Sequence, residues 1–226
     1  MNNKHIFVLI ILLLSIAIPL DSVLAAVGCE LNDPDRDIIR IFPSSTGYKT
    51  EYNTVKENGG PALMREAEKK LGDTLDPVYE TMDVPYAYYT VLKGKDAIGL
   101  VHGLNQKGEF GGMQIILATD LNGAIVDFYY QKLSSPEARK FDSKSFTDQF
   151  KGLTLADFYI YKKTPKEKQA ATKVGKIQDP SANSHNDFLA TLRGVMKNLI
   201  LLDIFKLNRK YDAFINGGNT DEKQSK

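Results

Sequence analysis

Residues 108–130 read GEFGGMQIILATDLNGAIVDFYY, and this stretch decides the fold of the chain. At its start, Gly111 and Gly112 leave one strand end without side chains, as a backbone needs where a flat ligand or another chain approaches closely. Residues 113–118 then alternate between two faces, which is the period of a β-strand. Residues 120–123 supply turn chemistry before the β pattern resumes. The stretch therefore predicts a glycine loop that feeds a β-hairpin.

Similar patterns on either side extend the hairpin into a sheet. Consecutive strand patterns cover residues 86–92, 97–104, 113–119 and 125–130. The connections between them are short, and short connections join antiparallel neighbours. The sequence therefore predicts an antiparallel meander of at least four strands. Residues 46–55 also alternate and predict one further strand upstream.

Helical patterns surround the predicted sheet. A short helix is predicted over residues 35–41, a second begins at Pro61 and ends before Gly72, and a third covers about residues 143–150. The longest helix, about residues 184–207, has apolar residues at helical spacing that form a stripe broad enough to cross a sheet face. These elements predict a single-domain α+β fold, in which helices pack on one face of an antiparallel meander.

The first residues predict export. Residues 7–20 are apolar but too few to span a bilayer comfortably, and the small residues at 23–26 are typical of a cleavage site. We therefore predict a signal peptide over residues 1–25, with an uncleaved N-terminal anchor as the alternative. The mature protein is expected in the periplasm or on the outer face of the cytoplasmic membrane.

The remaining chain divides into three segments. Residues 26–80 are predicted to form a helix and strand segment that packs on the main domain. Residues 81–210 form that main domain. The polar residues 211–226 are predicted to be a disordered tail.

Charge and cysteine content limit the classes of function. The 226 residues carry a formal charge of +1, whereas nucleic-acid binding needs a concentrated basic surface, so no nucleic-acid partner is expected. Cys29 is the only cysteine, so neither an intrachain disulfide nor a cysteine-based metal cluster can form. Its position shortly after the predicted cleavage site leaves two alternatives open. Cys29 is either a lipid-carrying cysteine that attaches the protein to a membrane or an ordinary thiol.

The hairpin and the segment after it carry a resemblance to a known family. The Gly-Gly strand, the Asp-x-x-Gly turn and the second strand are followed by SFTDQFKG at residues 145–152. This order of motifs resembles the FMN-binding domain, which occurs in the flavin subunits of the Rnf and sodium-translocating NADH:quinone reductase complexes and in related periplasmic flavoproteins. The resemblance covers about residues 86–202.

The resemblance implies a binding site for FMN. In the family, a Ser-Gly-Ala-Thr segment at the start of the last helix receives the FMN phosphate, and its threonine is esterified in the covalent members. Residues 181–184 align with that segment and put Ser184 at the acceptor position, whereas a shifted frame puts Ser181 there. Noncovalent FMN on the backbone amides of the helix start is the third alternative. The residues implied in FMN binding are Ser181, Asn183, Ser184, His185, Gly111, Gly112, Met113, Gln149, Phe150 and Lys151.

Two regions of the chain depart from the family pattern, one of which also has Ser184 in place of threonine, and they keep an alternative open. Ala182 stands where the family has glycine, and Asn183 where it has alanine. The family's Glu-Thr-Pro-Gly-x-Gly loop, which lies close to the flavin ring, is represented here by residues 134–138, which keep Pro136 and little else. The leading expectation is an exported FMN-binding electron-transfer protein that works with redox partners, including a membrane-bound electron-transport complex. The alternative is a flavin-free binding or scaffold module of the same fold.

A hydrolytic or other non-flavin enzyme has little support in the sequence. His102 and Glu109 flank the glycine loop, but no defined spacing pairs them as a catalytic acid and base. His102 is predicted to be a solvent-facing strand residue.

Overall fold

The computed structural model describes residues 29–215. The strands are β1 Gly47–Asn53, β2 Tyr86–Lys93, β3 Asp96–Lys107, β4 Gly112–Thr119 and β5 Ile125–Leu133. The helices are α1 Pro34–Ile41, α2 Gly60–Leu71, α3 Ala138–Phe141, α4 Lys144–Thr147, α5 Leu155–Lys163, α6 His185–Lys206 and α7 Asp212–Ile215. The predicted signal peptide and its alternative, an uncleaved anchor, lie outside the described residues. No helix between residues 29 and 215 is long and apolar enough to cross a membrane.

The strands form one antiparallel sheet in the order β1-β2-β3-β4-β5, so every neighbour in the sheet is also a neighbour in sequence. This confirms the predicted α+β meander, and the strand expected upstream becomes the first edge of the sheet. The β4–β5 turn is held by Asp120, whose carboxylate accepts hydrogen bonds from the amides of Asn122 and Ala124 at 2.8 and 2.9 Å. Gly123 completes the turn with a φ of 86°.

The two faces of the sheet are covered differently. Alternate residues of β4, such as Ile115 and Leu117, lie in the large core that α2, α5 and α6 close. The intervening residues, Ile116 and Ala118, lie in a second apolar cluster on the opposite face, which includes Ile38 of α1. The larger helices therefore share one face, as predicted, and α1 is an addition on the other. Both faces of the central strands are consequently buried.

Residues 29–53 are an integral part of the domain. On α1, Asp37 accepts a hydrogen bond from the Tyr129 hydroxyl of β5 at 2.9 Å. One turn later, Arg40 stacks over the Tyr129 ring at 4.6 Å and pairs with Asp127 at 3.2 Å. Because β1 also pairs with β2 along its whole length, residues 29–80 and the rest of the chain form one structural unit.

The helix boundaries follow local chemistry. Gly72 ends α2 in the left-handed conformation at a φ of 67°, as the proline-first, glycine-last pattern predicts. The predicted helix over residues 143–150 is α4 followed by one 3₁₀ turn. A capping box between Thr154 and Asp157 starts α5, which extends to Lys163. The polar segment that follows α5 forms short 3₁₀ turns.

The chain after α6 remains packed, which corrects part of the predicted tail. Tyr211 is buried, and its hydroxyl donates to the backbone oxygen of Asn122 at 2.6 Å. The Tyr211 amide donates to the carboxylate of Asp203 at 3.3 Å. Disorder is therefore the wrong prediction for residues 211–215, since an aromatic side chain and a buried acceptor fix them. The rest of the predicted tail lies outside the described residues.

Candidate functional site at the start of the long helix

Three segments in which the sequence predicts site residues converge at the start of α6. The backbone amide of Glu109, in the glycine loop, donates to the Asp187 carboxylate of α6 at 2.8 Å. The Ser181 hydroxyl, just before α6, donates to the Glu137 carboxylate at 3.1 Å. A side chain added at Gly111 would place its Cβ 3.2 Å from the Ser134 hydroxyl. The glycine loop, the segment after β5 and the helix start therefore meet at one place.

The two predicted glycines are required by close packing. Gly111 has a φ of 141°, where residues with a Cβ are strained. Beside Gly112, the ring of Tyr79 occupies the space that a side chain would take, with its Cε1 atom 3.2 Å from an added Cβ. Protein atoms thus already fill the space beside Gly112 where the sequence predicts the close approach of a flat ligand or another chain. Met113, the next residue, is buried in the large core.

The predicted phosphate residues differ in accessibility. The Ser184 side chain is completely buried, and its hydroxyl makes no hydrogen bond to any described residue. Ser181 is also buried, whereas Asn183 and His185 are exposed. The His185 ring nitrogen Nδ1 lies 2.7 Å from the Asp179 carboxylate. The two candidate acceptor hydroxyls therefore point into the protein.

Carboxylates surround this helix start. Asp187 is fully buried, with one oxygen on the Glu109 amide and the other without a partner among residues 29–215. Asp179 accepts from the amide of Ser181 at 2.9 Å. Hydrogen bonds from Lys140 and then Ser181 lower the pKa of Glu137, which keeps it ionised at neutral pH. A helix N-terminus attracts negative charge, and these carboxylates already supply the negative charge that a bound phosphate would otherwise supply.

The residues of the SFTDQFKG segment divide into three environments. Gln149 reaches the loop before α6, because its side-chain oxygen accepts from the amide of Gln178 at 2.8 Å. Phe150 is fully buried against Phe128, with ring centroids 4.8 Å apart. Lys151 is an exposed residue that pairs with Asp148 at 2.8 Å. Of these three predicted contacts, only Gln149 approaches the helix start.

His102 is buried, so the prediction of a solvent-facing residue is wrong. Its ring stacks on Tyr88 at a centroid distance of 4.1 Å, and its Nδ1 atom lies 3.1 Å from the backbone oxygen of Ala87. Burial lowers the pKa of His102 to about 4. The ring is therefore neutral at physiological pH and out of reach of a substrate.

The sequence did not predict a second feature, a buried network of charged side chains between α6, β3 and the segment before β2. The Lys197 ammonium of α6 contacts the Glu80 carboxylate and the backbone oxygen of Asn105, the latter at 2.7 Å. Arg193, one turn earlier on α6, donates to the same carboxylate at 3.0 Å and to the Gln106 side chain at 2.8 Å. Burial lowers the pKa of Lys197, while contact with a carboxylate favours its charged form.

This network lies beside a cleft of about 310 Å³, which includes Asp73, Asp76, Gln106, Lys107 and Arg193 in its walls. The Arg193 guanidinium is already occupied by protein acceptors, since it also bonds Asp73 at 2.7 Å and the Thr74 backbone oxygen at 2.8 Å. The network therefore joins α6, β3 and the segment before β2, and it leaves no donor of Arg193 directed at a ligand.

Sequence signals for the missed residues exist but are weak. Asp187 stands three residues after Ser184, which is the spacing of a capping box, although here the carboxylate reaches another loop. Lys197 interrupts the apolar stripe of α6, and a lysine at such a position needs a buried partner. Neither signal identifies Glu109 or Glu80 as the partner, because those contacts are distant in sequence.

Comparison with known proteins does not extend this picture. No family model matches the sequence, and no curated protein matches it. The resemblance to the FMN-binding domain stays a prediction.

Proposed function

We propose that this protein is an exported binding module that uses the meander fold without holding flavin, and that it serves a membrane or periplasmic redox complex. The observation that carries the proposal is the set of carboxylates at the start of α6, formed by Asp187, Glu137 and Asp179. An FMN phosphate bound there would meet like charge at close range, which opposes binding. The link to a redox complex is supported by the resemblance alone.

The packing around the glycine loop supports the same proposal. Tyr79 covers Gly112, and Met113 and Phe150 belong to the core. An isoalloxazine ring would have to displace the Tyr79 ring to lie on this part of β4. The surface that the resemblance assigns to a cofactor is occupied by internal contacts, which supports the proposal.

Membrane association through Cys29 has weak support. The Cys29 side chain is completely buried among core residues, and burial raises the pKa of its thiol to about 11. A lipid on this sulfur would require the first described residues to leave the core. On this proposal the module reaches a membrane complex through protein contacts or through an uncleaved N-terminal anchor, rather than through a lipid on Cys29.

The test is an FMN titration combined with an intact-mass measurement. Protein exported from a host that has the flavin-attaching transferase should have an unmodified mass, and it should leave the fluorescence of added FMN unchanged. Asp187→Asn removes one charge at the helix start and is compared with Asp148→Asn, which removes an exposed carboxylate elsewhere. If the proposal is right, FMN binding improves in the first variant only. Stoichiometric flavin in the unaltered protein would overturn it.

A second candidate is an exported FMN-binding electron-transfer protein that works with redox partner proteins. It is favoured by the convergence of the glycine loop and the helix start, and by the buried Ser184 hydroxyl that has no described partner. On this proposal the protein gains the mass of one FMN group, and either Ser184→Ala or Ser181→Ala abolishes the gain. Flavin that is released on denaturation, without a change in protein mass, would indicate noncovalent binding instead.

A further inference from the structure

Strand β1 is an open edge of the sheet. It pairs with β2, and the sheet order places no other strand of residues 29–215 beyond it. At the opposite edge, the first residue of β5 already exchanges backbone hydrogen bonds with residues 152–153, at 2.8 and 2.9 Å. An open edge presents backbone donors and acceptors to any strand that can lie alongside it.

The sequence of β1, GYKTEYN, is complementary to itself when reversed. In an antiparallel pair of β1 strands with the two-fold axis at Thr50, Lys49 of each copy faces Glu51 of the other. Tyr48 of each copy likewise faces Tyr52 of the other. Opposite charges and aromatic pairs at directly facing positions both stabilise antiparallel strands. Lys49 and Glu51 of one copy therefore attract Glu51 and Lys49 of a second copy.

The side chains of β1 are placed to make these contacts. Tyr48 and Tyr52 register with Val91 and Ala87, so they lie on the face of the sheet that α1 covers. Tyr52 is 55% exposed, and a second copy would cover it. Residues 49 and 51 lie on the other face, where both are exposed.

Glu51 is also held in position within its own chain. Lys206, at the end of α6, pairs with Glu51 at 2.8 Å. This contact orders the carboxylate, and its exposed position leaves it accessible to a second lysine. The formal charge of +1 for the whole chain imposes little overall repulsion between two copies.

We propose that two copies of this chain associate through β1, edge to edge and antiparallel about Thr50, to form one continuous ten-stranded sheet. The interface is isologous, because each residue of one strand meets its counterpart of the other. It is independent of flavin, so it holds whichever function applies at the start of α6.

Charge reversal tests the pairing directly. Lys49→Glu and Glu51→Lys each turn two attractions into two repulsions, and each should weaken the dimer by about tenfold or more in sedimentation equilibrium. The double variant restores both attractions and should dimerise. An equimolar mixture of the two single variants should form a heterodimer more tightly than either variant forms its own dimer, because the two glutamates of one chain then face the two lysines of the other. Lys95→Glu, which reverses an exposed charge in the β2–β3 turn, is the matched control and should dimerise like the unaltered protein.

Circular dichroism and thermal unfolding establish that every variant is folded before its mass is interpreted. Hydrogen exchange at residues 47–53 provides a second readout, because the dimer should slow exchange there as protein concentration rises. A monomer at all soluble concentrations would overturn the proposal. A dimer that both single variants form as tightly as the unaltered protein would also overturn it, since its interface would lie elsewhere.

Discussion

At the scale of single residues, His102 shows how complete burial changes a side chain's chemistry. Its ring lies between β2 and the large core, stacked on Tyr88 and hydrogen-bonded to the backbone oxygen of Ala87. Desolvation disfavours the charged imidazolium and lowers the pKa from 6.5 to about 4. The native state therefore binds fewer protons than the unfolded state between those two pH values. Stability from this residue is complete above pH 6.5 and is lost as the pH falls towards 4.

We expect His102→Phe to remove this pH dependence. Relative to the variant, the unaltered protein should lose on the order of 3 kcal/mol of unfolding free energy between pH 6.5 and pH 4. Asp203 acts in the opposite direction, because burial raises its pKa to about 6, so the difference between proteins is the quantity to measure. Urea unfolding at a series of pH values provides it. His185→Asn is the control, and its exposed side chain should leave the dependence in place.

At the scale of secondary-structure elements, the buried charge network fixes α6 against the sheet. Lys197 and Arg193 lie one turn apart on α6 and converge on Glu80, which is 1% exposed. Lys197 also bonds the backbone of β3 at Asn105. A charge left alone at this depth would be strongly destabilising, so the members of the network depend on one another.

Lys197→Met should therefore cost roughly 3 to 5 kcal/mol of unfolding free energy, because it leaves Glu80 with Arg193 as its remaining cationic partner. Adding Glu80→Gln to this variant should recover part of the loss, since the amide carries no charge to be buried. Guanidinium unfolding of the two single variants and the double variant gives the coupling energy between the positions. Additive losses would show that the two side chains do not interact.

At the scale of the whole molecule, the domain depends on covering both faces of one sheet. Helices α2, α5 and α6 close the large core, and α1 with Leu31 closes the second cluster over Tyr89 and Ile116. Among residues 29–215, no strand pairs with β1 on its outer side, whereas the first residue of β5 exchanges backbone hydrogen bonds with residues 152–153 at the opposite edge. The stability of the domain thus depends on the covered faces of the sheet, whereas the proposed dimer depends on its β1 edge.

A chain that begins at Thr46 should show the joint contribution of α1, of Leu31 in the second cluster and of Cys29 in the large core. Removing α1 uncovers Tyr89 and Ile116 and eliminates the buried Leu31 and Ile38, each worth on the order of 2 kcal/mol. We expect a lower denaturant midpoint and new binding of a hydrophobic dye. The matched control begins at Cys29 and should retain the stability of the full chain. Equal midpoints for the two truncated chains would contradict a stabilising role for α1.

The amino-acid sequence by itself determined the five strands, their order, and the helices α1, α2, α4 and α6. Alternation of apolar residues over 113–118 assigned two faces to β4, and both assignments hold because side chains on a strand must alternate. Gly72 and residues 120–123 fixed local turns, since their conformations depend on neighbours in sequence. These properties are local, so a single sequence was sufficient.

Only the tertiary structure decided the state of the candidate site. Alternation shows which residues share a face but not whether that face is covered, so His102 was assigned to solvent although α6 and β2 enclose it. The glycine loop offered space beside Gly112, and Tyr79 fills it from a distant segment. Asp187 occupies the helix start by bonding Glu109, seventy-eight positions earlier in the chain. Contacts between such distant residues follow from packing, and packing rather than local pattern determines which sites remain open to a ligand.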